Sequence, residues 1–334
     1  MTISISRRRF GAGLAATTAV AGALAGARAE AQATINLKYG NAGNAQTLSN
    51  TFNQRWANIV AERTSNQVRI QIFAGTLGGE QQLIESMALG TIDIYNGAYT
   101  GTREFDIFYS PSFFKDGYHA KRVLAGPLGQ KANETLERRY QARLLGVGVL
   151  GPWVLATKRK ITSLDELRGV KLRAPQIEGV VAALNHLGAS PTPIAFNEIY
   201  LALQNGTVDG FVSALNPSVA GKFYEVCKYV YSNPFGLGLD KEAIATRAWN
   251  RLSATQRDVM KASFDELENV EYHQAGITAI TTDLATWRRN NGDDSVAQLD
   301  QADIDRRMAP LNERLANEVF GAGAWAQIQA AANG

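Results

Sequence analysis

The sequence predicts an α/β protein whose strands and helices alternate in mainly parallel sheets, spread over two lobes. Three observations carry that expectation. Residues 187–216, LGASPTPIAFNEIYLALQNGTVDGFVSALN, read as strand, helix and strand. Strand and helix signals also alternate from Ile35 to Ile94. The longest apolar periodic segment begins at Ser253 and continues for about 35 residues, which at about 1.5 Å per residue exceeds a small domain's width, so it should bridge two lobes.

In the 187–216 unit, Ser190 to Ala195 is short, Pro-punctuated and extended. Phe196, Ile199, Tyr200 and Leu203 follow at helical spacing until Asn205-Gly206 turns the chain into a strand from Thr207 to Val212. Such a unit cannot bury both faces alone and must join a larger sheet covered by helices.

Taken from the start, Ile35 to Tyr39 reads as a strand that breaks at Gly40. Leu48, Phe52, Trp56 and Ile59 form one apolar helix face. Val68, Ile70 and Ile72 alternate with polar residues in a strand ending at Gly75. A helix from Glu80 to Leu89 stops at Gly90, and Ile92 and Ile94 begin the next strand. This alternation places ligands at the carboxyl ends of parallel strands. Helical spacing returns between Gly117 and Arg143. Leu144 to Leu150 is an apolar strand, with a continuation from Trp153 to Thr157 left open by Pro152. Ser163 and Glu166 form a capping box for a short helix, and Val170 to Ala174 is a strand with Lys171 and Arg173 on one face. Cys227 to Tyr231 is a further strand, followed by an extended piece through Leu237. Ser253-x-x-Gln256 caps the long helix, which Gly276 is expected to interrupt.

At 334 residues, 45% apolar and 19% charged, the chain has the composition of a soluble globular protein with room for two domains. Residues 1–33 differ: the basic run Arg7-Arg8-Arg9 precedes a small-residue apolar stretch too short to anchor in a bilayer, then several A-x-A cleavage patterns. This resembles a twin-arginine export signal, so a periplasmic protein beginning near Gln32 or Thr34 is expected. Removing those residues takes away four of the 34 basic and one of the 31 acidic residues, which cancels the net charge of +3. No nucleic-acid or anionic-membrane partner follows. The one cysteine, Cys227, permits no internal disulfide and is expected to be a buried apolar thiol.

Chemistry-bearing motifs are sparse. Gly146-Val-Gly148-Val-Leu-Gly151 matches the spacing of a dinucleotide loop but continues extended, where the fingerprint needs a helix. The run from Gly75 to Glu80 lacks the Lys-Ser/Thr ending of a phosphate loop. His119, His186 and His273 have no metal-ligand spacing. Arg173 stands out: it lies near a strand's carboxyl end, just before Pro175, where a guanidinium can grip a carboxylate bidentately. Periodicity alone favours an exposed strand-end arginine. Asn41, Asn96 and Tyr99 also follow strand ends, as cleft residues or as ordinary turn residues.

Three blocks, Phe73 to Ile94, Leu164 to Pro175 and Pro191 to Gly210 (PTPIAFNEIYLALQNGTVDG), resemble in sequence and order the solute-binding proteins of tripartite ATP-independent periplasmic (TRAP) transporters. The resemblance covers essentially the whole mature chain. It implies a two-lobed periplasmic-binding-protein-like fold, with lobe I at 34–150 plus 239–279 and lobe II at 151–238 plus 280–334. It further implies a receptor that closes by a hinge on an organic acid anion and delivers it to TRAP membrane permease subunits, without a cofactor. KLRAP matches the family's carboxylate-binding arginine, which assigns that role to Arg173.

Other positions depart from the family pattern. Many members carry a second arginine where this chain has Gly151-Pro152-Trp153, leaving Trp153 as either core or a flat ligand wall. A usual amide contact becomes Ser213, with Asn216 three residues on as a substitute. Phe235 resembles a ligand-facing position. With Trp153 and Phe211 in place of polar groups, the expected ligand has one carboxylate and an apolar body. The alternatives are an exported α/β enzyme acting on an organic acid, with a nucleotide at 146–151, and the receptor of an ATP-driven importer. The first finds no catalytic motif in support.

Overall fold

Alternating apolar segments become ten strands among the residues described by the computed structural model, 33–333. The expected export signal, apart from Ala33, lies outside the described residues. In chain order the strands are β1 (Ile35–Asn41), β2 (Val68–Ala74), β3 (Ile94–Gly97), β4 (Ala142–Thr157), β5 (Lys171–Ala174), β6 (Ser190–Pro193), β7 (Gly210–Ala214), β8 (Tyr229–Tyr231), β9 (Leu237–Ala245) and β10 (Val296–Ala297). They pair in the order β2-β1-β3-β9-β4-β7-β5-β6, with β8 on β4 and β10 on β8. No helix among the described residues is long and apolar enough to cross a membrane.

The helix-connected neighbours are parallel as expected: β1 with β2 and β3, and β5 with β6 and β7. The central pairings are not. β9 runs antiparallel between β3 and β4, and β4 runs antiparallel to β7 and β8. Antiparallel pairing needs no crossover helix, which suits strands that only carry the chain from one half of the sheet to the other.

β4 makes that passage in one piece. Its residues 142–152 pair with β9, and 153–157 pair with β7. Pro152 is tolerated because the register shifts there: Gly151 takes φ +101°, Trp153 donates its N–H to Gly236 O at 3.0 Å, and Phe235 donates to Trp153 O at 2.7 Å.

The long helix caps as read: Ser253 Oγ accepts from Gln256 N, and Gln256 Oε1 accepts from Ser253 N. It runs Ala254–Leu267, a π turn at Glu268–Tyr272, and His273–Asn291. The irregular turn is thus earlier than the expected interruption at Gly276, which stays helical. The π turn sets Glu268 where its Oε1 accepts Val149 N at 3.2 Å and its other oxygen meets Lys121 at 2.5 Å. At one end Trp56 Nε1 donates to Met260 O at 3.1 Å, joining the helix Leu48–Arg63. At the other, Trp287 Nε1 donates to Lys228 O at 2.9 Å and the ring packs near Phe211. One helix therefore serves both halves.

The glycines of β4 explain themselves in this packing. A Cβ at Gly146 would stand 2.3 Å from the Phe264 ring, and one at Gly148 would stand 2.6 Å from the Tyr272 ring. The pattern that matched a dinucleotide loop seats the long helix against the strand. Cys227 is buried with Val230, Phe211 and Trp287 in a smaller second core, and burial pushes its thiol pKa up.

Candidate ligand-binding cleft

The unit at 187–216 positions the central group. β5 lies between β6 and β7, so the Arg173 side chain is flanked by backbone on both sides. Its Nε donates to Ile194 O at 2.8 Å and its Nη1 to Val212 O at 2.9 Å. The residue is 4% exposed, and no carboxylate among the described residues forms an ion pair with it. Burial pulls its pKa down to about 9, against the opposing field of Glu80. A guanidinium held only by neutral carbonyls keeps most of its desolvation cost, which an arriving anion would offset.

Arg173 stands where two contiguous chambers meet, of about 60 and 220 Å³, sharing Glu80, Pro175 and Phe196 as well. The smaller chamber brings together Asn41, Trp153 and Ser213 from the sequence reading. Ser213 follows Val212, whose carbonyl holds Arg173. The Trp153 ring packs on Tyr109 at 4.9 Å between centroids, and the residue also lines the chamber. Tyr99 lines the larger chamber.

Asn41 reaches the cleft with its amide already engaged. Its Nδ2 donates to Asn96 Oδ1 at 2.5 Å, and its Oδ1 accepts from Gly43 N and from Asn50 Nδ2. Asn96 sits behind it, donating to Glu242 Oε2 at 3.0 Å, and lines neither chamber.

Besides Asn96, three candidates are placed outside both chambers. Phe211 lies on the same face of β7 as Ser213 but two residues nearer the strand's start, where it is fully buried against Phe223 and Trp287, so it belongs to the core. Phe235 is 1% exposed in the main core because its backbone is bonded to Trp153 at the β4 crossover. Asn216 forms a tie: its Oδ1 accepts Leu48 N at 2.9 Å and its Nδ2 donates to Asp283 Oδ2 at 3.2 Å.

The sequence reading missed Glu80, Ser49 and Asp240, all of which line the smaller chamber. Glu80 accepts from the N–H groups of Ala98 and Tyr99 at 2.8 and 3.2 Å. Asp240 accepts from Ser49 Oγ at 2.6 Å, and burial pushes its pKa up to about 6 with Ser49 opposing. Asp240-Lys241-Glu242 looks like a solvated charge run, yet β9 is interior to the sheet and all three are buried. Lys241 turns to the other side, donating to Ala98 O and to Tyr109 OH at 2.6 Å; burial pulls its pKa down, with Asp106 opposing. Glu242 accepts from Tyr39 OH and Asn96, and burial raises its pKa. The one available signal was three charges inside an otherwise apolar extended run.

A larger cavity of about 880 Å³ lies on the opposite side of β4, against Val149, Gly151 and Pro152. It contains none of the residues gathered around Arg173.

Fold and site together define a two-lobed α/β binding protein with a charged cleft. Residues 39–304 match the family DctP, bacterial extracellular solute-binding protein, family 7. The chain belongs to this family of TRAP transporter solute-binding proteins. Solute-binding protein RD1_1052 of Roseobacter denitrificans is 32% identical over 259 residues, 75% of this chain and 78% of that protein. Its solved structure, with bound L-galactonate, superposes at TM-score 0.78 and 23% identity over 90% of this chain and 99% of that one. A TRAP periplasmic solute binding protein from Desulfovibrio salexigens, with bound orotic acid, superposes at TM-score 0.82 and 21% identity, with the same coverages of 90% and 99%.

Proposed function

We propose that this chain is the periplasmic receptor of a TRAP transporter and captures a small organic acid anion between its lobes, 34–150 plus 239–279 and 151–238 plus 280–334. The observation that carries this reading is Arg173, a buried guanidinium on two neutral carbonyls at the wall of a cleft. Arg173 neutralises the ligand's carboxylate, Ser213 lies beside it, and Trp153 with Leu150 and Phe196 covers an apolar body. The ligands in the two solved relatives, orotic acid and L-galactonate, agree with a carboxylate in chemical class.

Closure is a population shift. An anion that touches residues of both lobes only when they meet binds the closed state more tightly than the open one, and that difference in affinity favours closure. The ligand then passes to the TRAP membrane permease subunits, to which ion coupling belongs. Export by the twin-arginine route accounts for Arg7, Arg8 and Arg9. Neither metal nor cofactor has a part in this reading.

The test is a thermal-shift screen of the mature chain against a library of organic acids, followed by Arg173→Ala. The variant should stay folded and lose ligand-induced stabilisation. Removing one partner of a buried charge pair costs about 2–5 kcal/mol, so affinity should fall at least about thirtyfold. Unchanged affinity would exclude Arg173 as the clamp.

A further inference from the structure

The cleft carries a second charged feature besides Arg173. Asp240 is more than nine-tenths buried, at 8% exposure, and reaches the smaller chamber from β9. Among the described residues only Ser49 bonds its carboxylate, on Oδ2, and Ser49 is itself shared with Tyr272 OH at 2.9 Å. Glu80 lines the same chamber with a carboxylate that accepts two backbone N–H groups. Lys241, the adjacent cation, is turned away to Ala98 and Tyr109. One region of the chamber therefore presents donors on Arg173, and another presents the carboxylate oxygens of Asp240 and Glu80.

A plain monocarboxylate satisfies Arg173 but leaves Asp240 facing apolar atoms, and a second carboxylate would face like charge. Both arrangements are penalised at a buried carboxylate, where an unpaired polar group costs more than a made bond returns. We propose that Asp240 is a specificity-determining residue, which selects acids carrying a hydrogen-bond donor, hydroxyl or ammonium, at the end away from the carboxylate. This rests on the receptor reading above and names the ligand class more closely. Burial raises the pKa of Asp240, Glu80 adds to the rise, and Ser49 and the averted Lys241 only partly oppose it.

The experiment is calorimetry on the mature wild-type chain with propanoate to hexanoate, their ω-hydroxy and ω-amino derivatives, and the matching dicarboxylates. Within one chain length, a donor-bearing acid should bind about tenfold or more tighter than the unsubstituted acid, and the dicarboxylate should bind most weakly. Asp240→Asn should flatten that ranking and improve dicarboxylate binding. A larger loss in the ω-amino arm than in the ω-hydroxy arm identifies ammonium as the donor, and the reverse identifies hydroxyl. The wild-type ranking stands as evidence without any variant. If unsubstituted acids bind as well as their derivatives, or if Asp240→Asn keeps the ranking, Asp240 is not the selector while the receptor reading survives. If no acid binds wild type, both fail together.

Discussion

Asn216 Oδ1 accepts the backbone N–H of Leu48 at 2.9 Å, so a side chain that follows β7 satisfies the first free amide of the helix that follows β1. A second bond, from Asn44 Nδ2 to Ala220 O at 3.2 Å, runs the other way between the same two regions. Both lie beside the chamber that Arg173 borders, since Gly43, Thr47 and Pro217 line it. In the hinge closure proposed above, they join elements assigned to opposite lobes.

Asn216→Ala should therefore weaken ligand binding by about twofold to twelvefold, the worth of one net hydrogen bond of about 0.5–1.5 kcal/mol. Calorimetry with whichever acid the screen identifies makes the comparison. An unchanged affinity would mean that the tie takes no part in closure.

The seat of the long helix on β4 gives a stability prediction. In Gly146→Ala the new methyl would press on Phe264, which is buried beside Phe52 and Trp56 and has little room to move. The variant should lose about 1–3 kcal/mol in urea unfolding. A neutral result would show that the helix lifts off the strand at no cost, against the packing described.

The pH dependence of stability has a sign that can be worked out at Asp240. Its pKa is about 6 in the folded protein, above the 3.8 of a free aspartate, so the folded chain holds this proton more tightly than the unfolded one. That contribution is full below about pH 4 and is lost as pH rises through about 6. Wild type should consequently lose stability relative to Asp240→Asn between those limits, with the gap widest above pH 6. Melting temperatures of the two proteins across that range provide the measurement, and parallel curves would contradict it.

Phe211 separates core from cleft. Phe211→Leu should destabilise the fold, because Phe223 and Trp287 lose an aromatic partner, yet leave acid affinity within about twofold of wild type. A change in ligand ranking would return Phe211 to the binding site.

Much of this protein was legible in local pattern. Arg173 could be placed because strand periodicity and a nearby proline locate the end of β5 within a residue, and a strand end in a parallel unit is where a crevice opens. The Ser253 cap, the helix bridging both halves and the buried Cys227 were legible for similar reasons, each depending on residues close in sequence. The positions of Phe211, Phe235 and Asn216 were not, because resemblance to a family marks a position without specifying which remote elements pack over it.

The sequence by itself determined the strand–helix–strand units, which short-range periodicity, capping and turn chemistry set, and the family, which resemblance of its motifs to known sequences marks along with Arg173. Only the tertiary structure decided that Gly146 and Gly148 seat a helix, that β4 and β9 run antiparallel through the middle, and that Asp240 faces a cavity. Each of those depends on which segment arrives from about a hundred residues away, and burial and charge environment come into being only when it does.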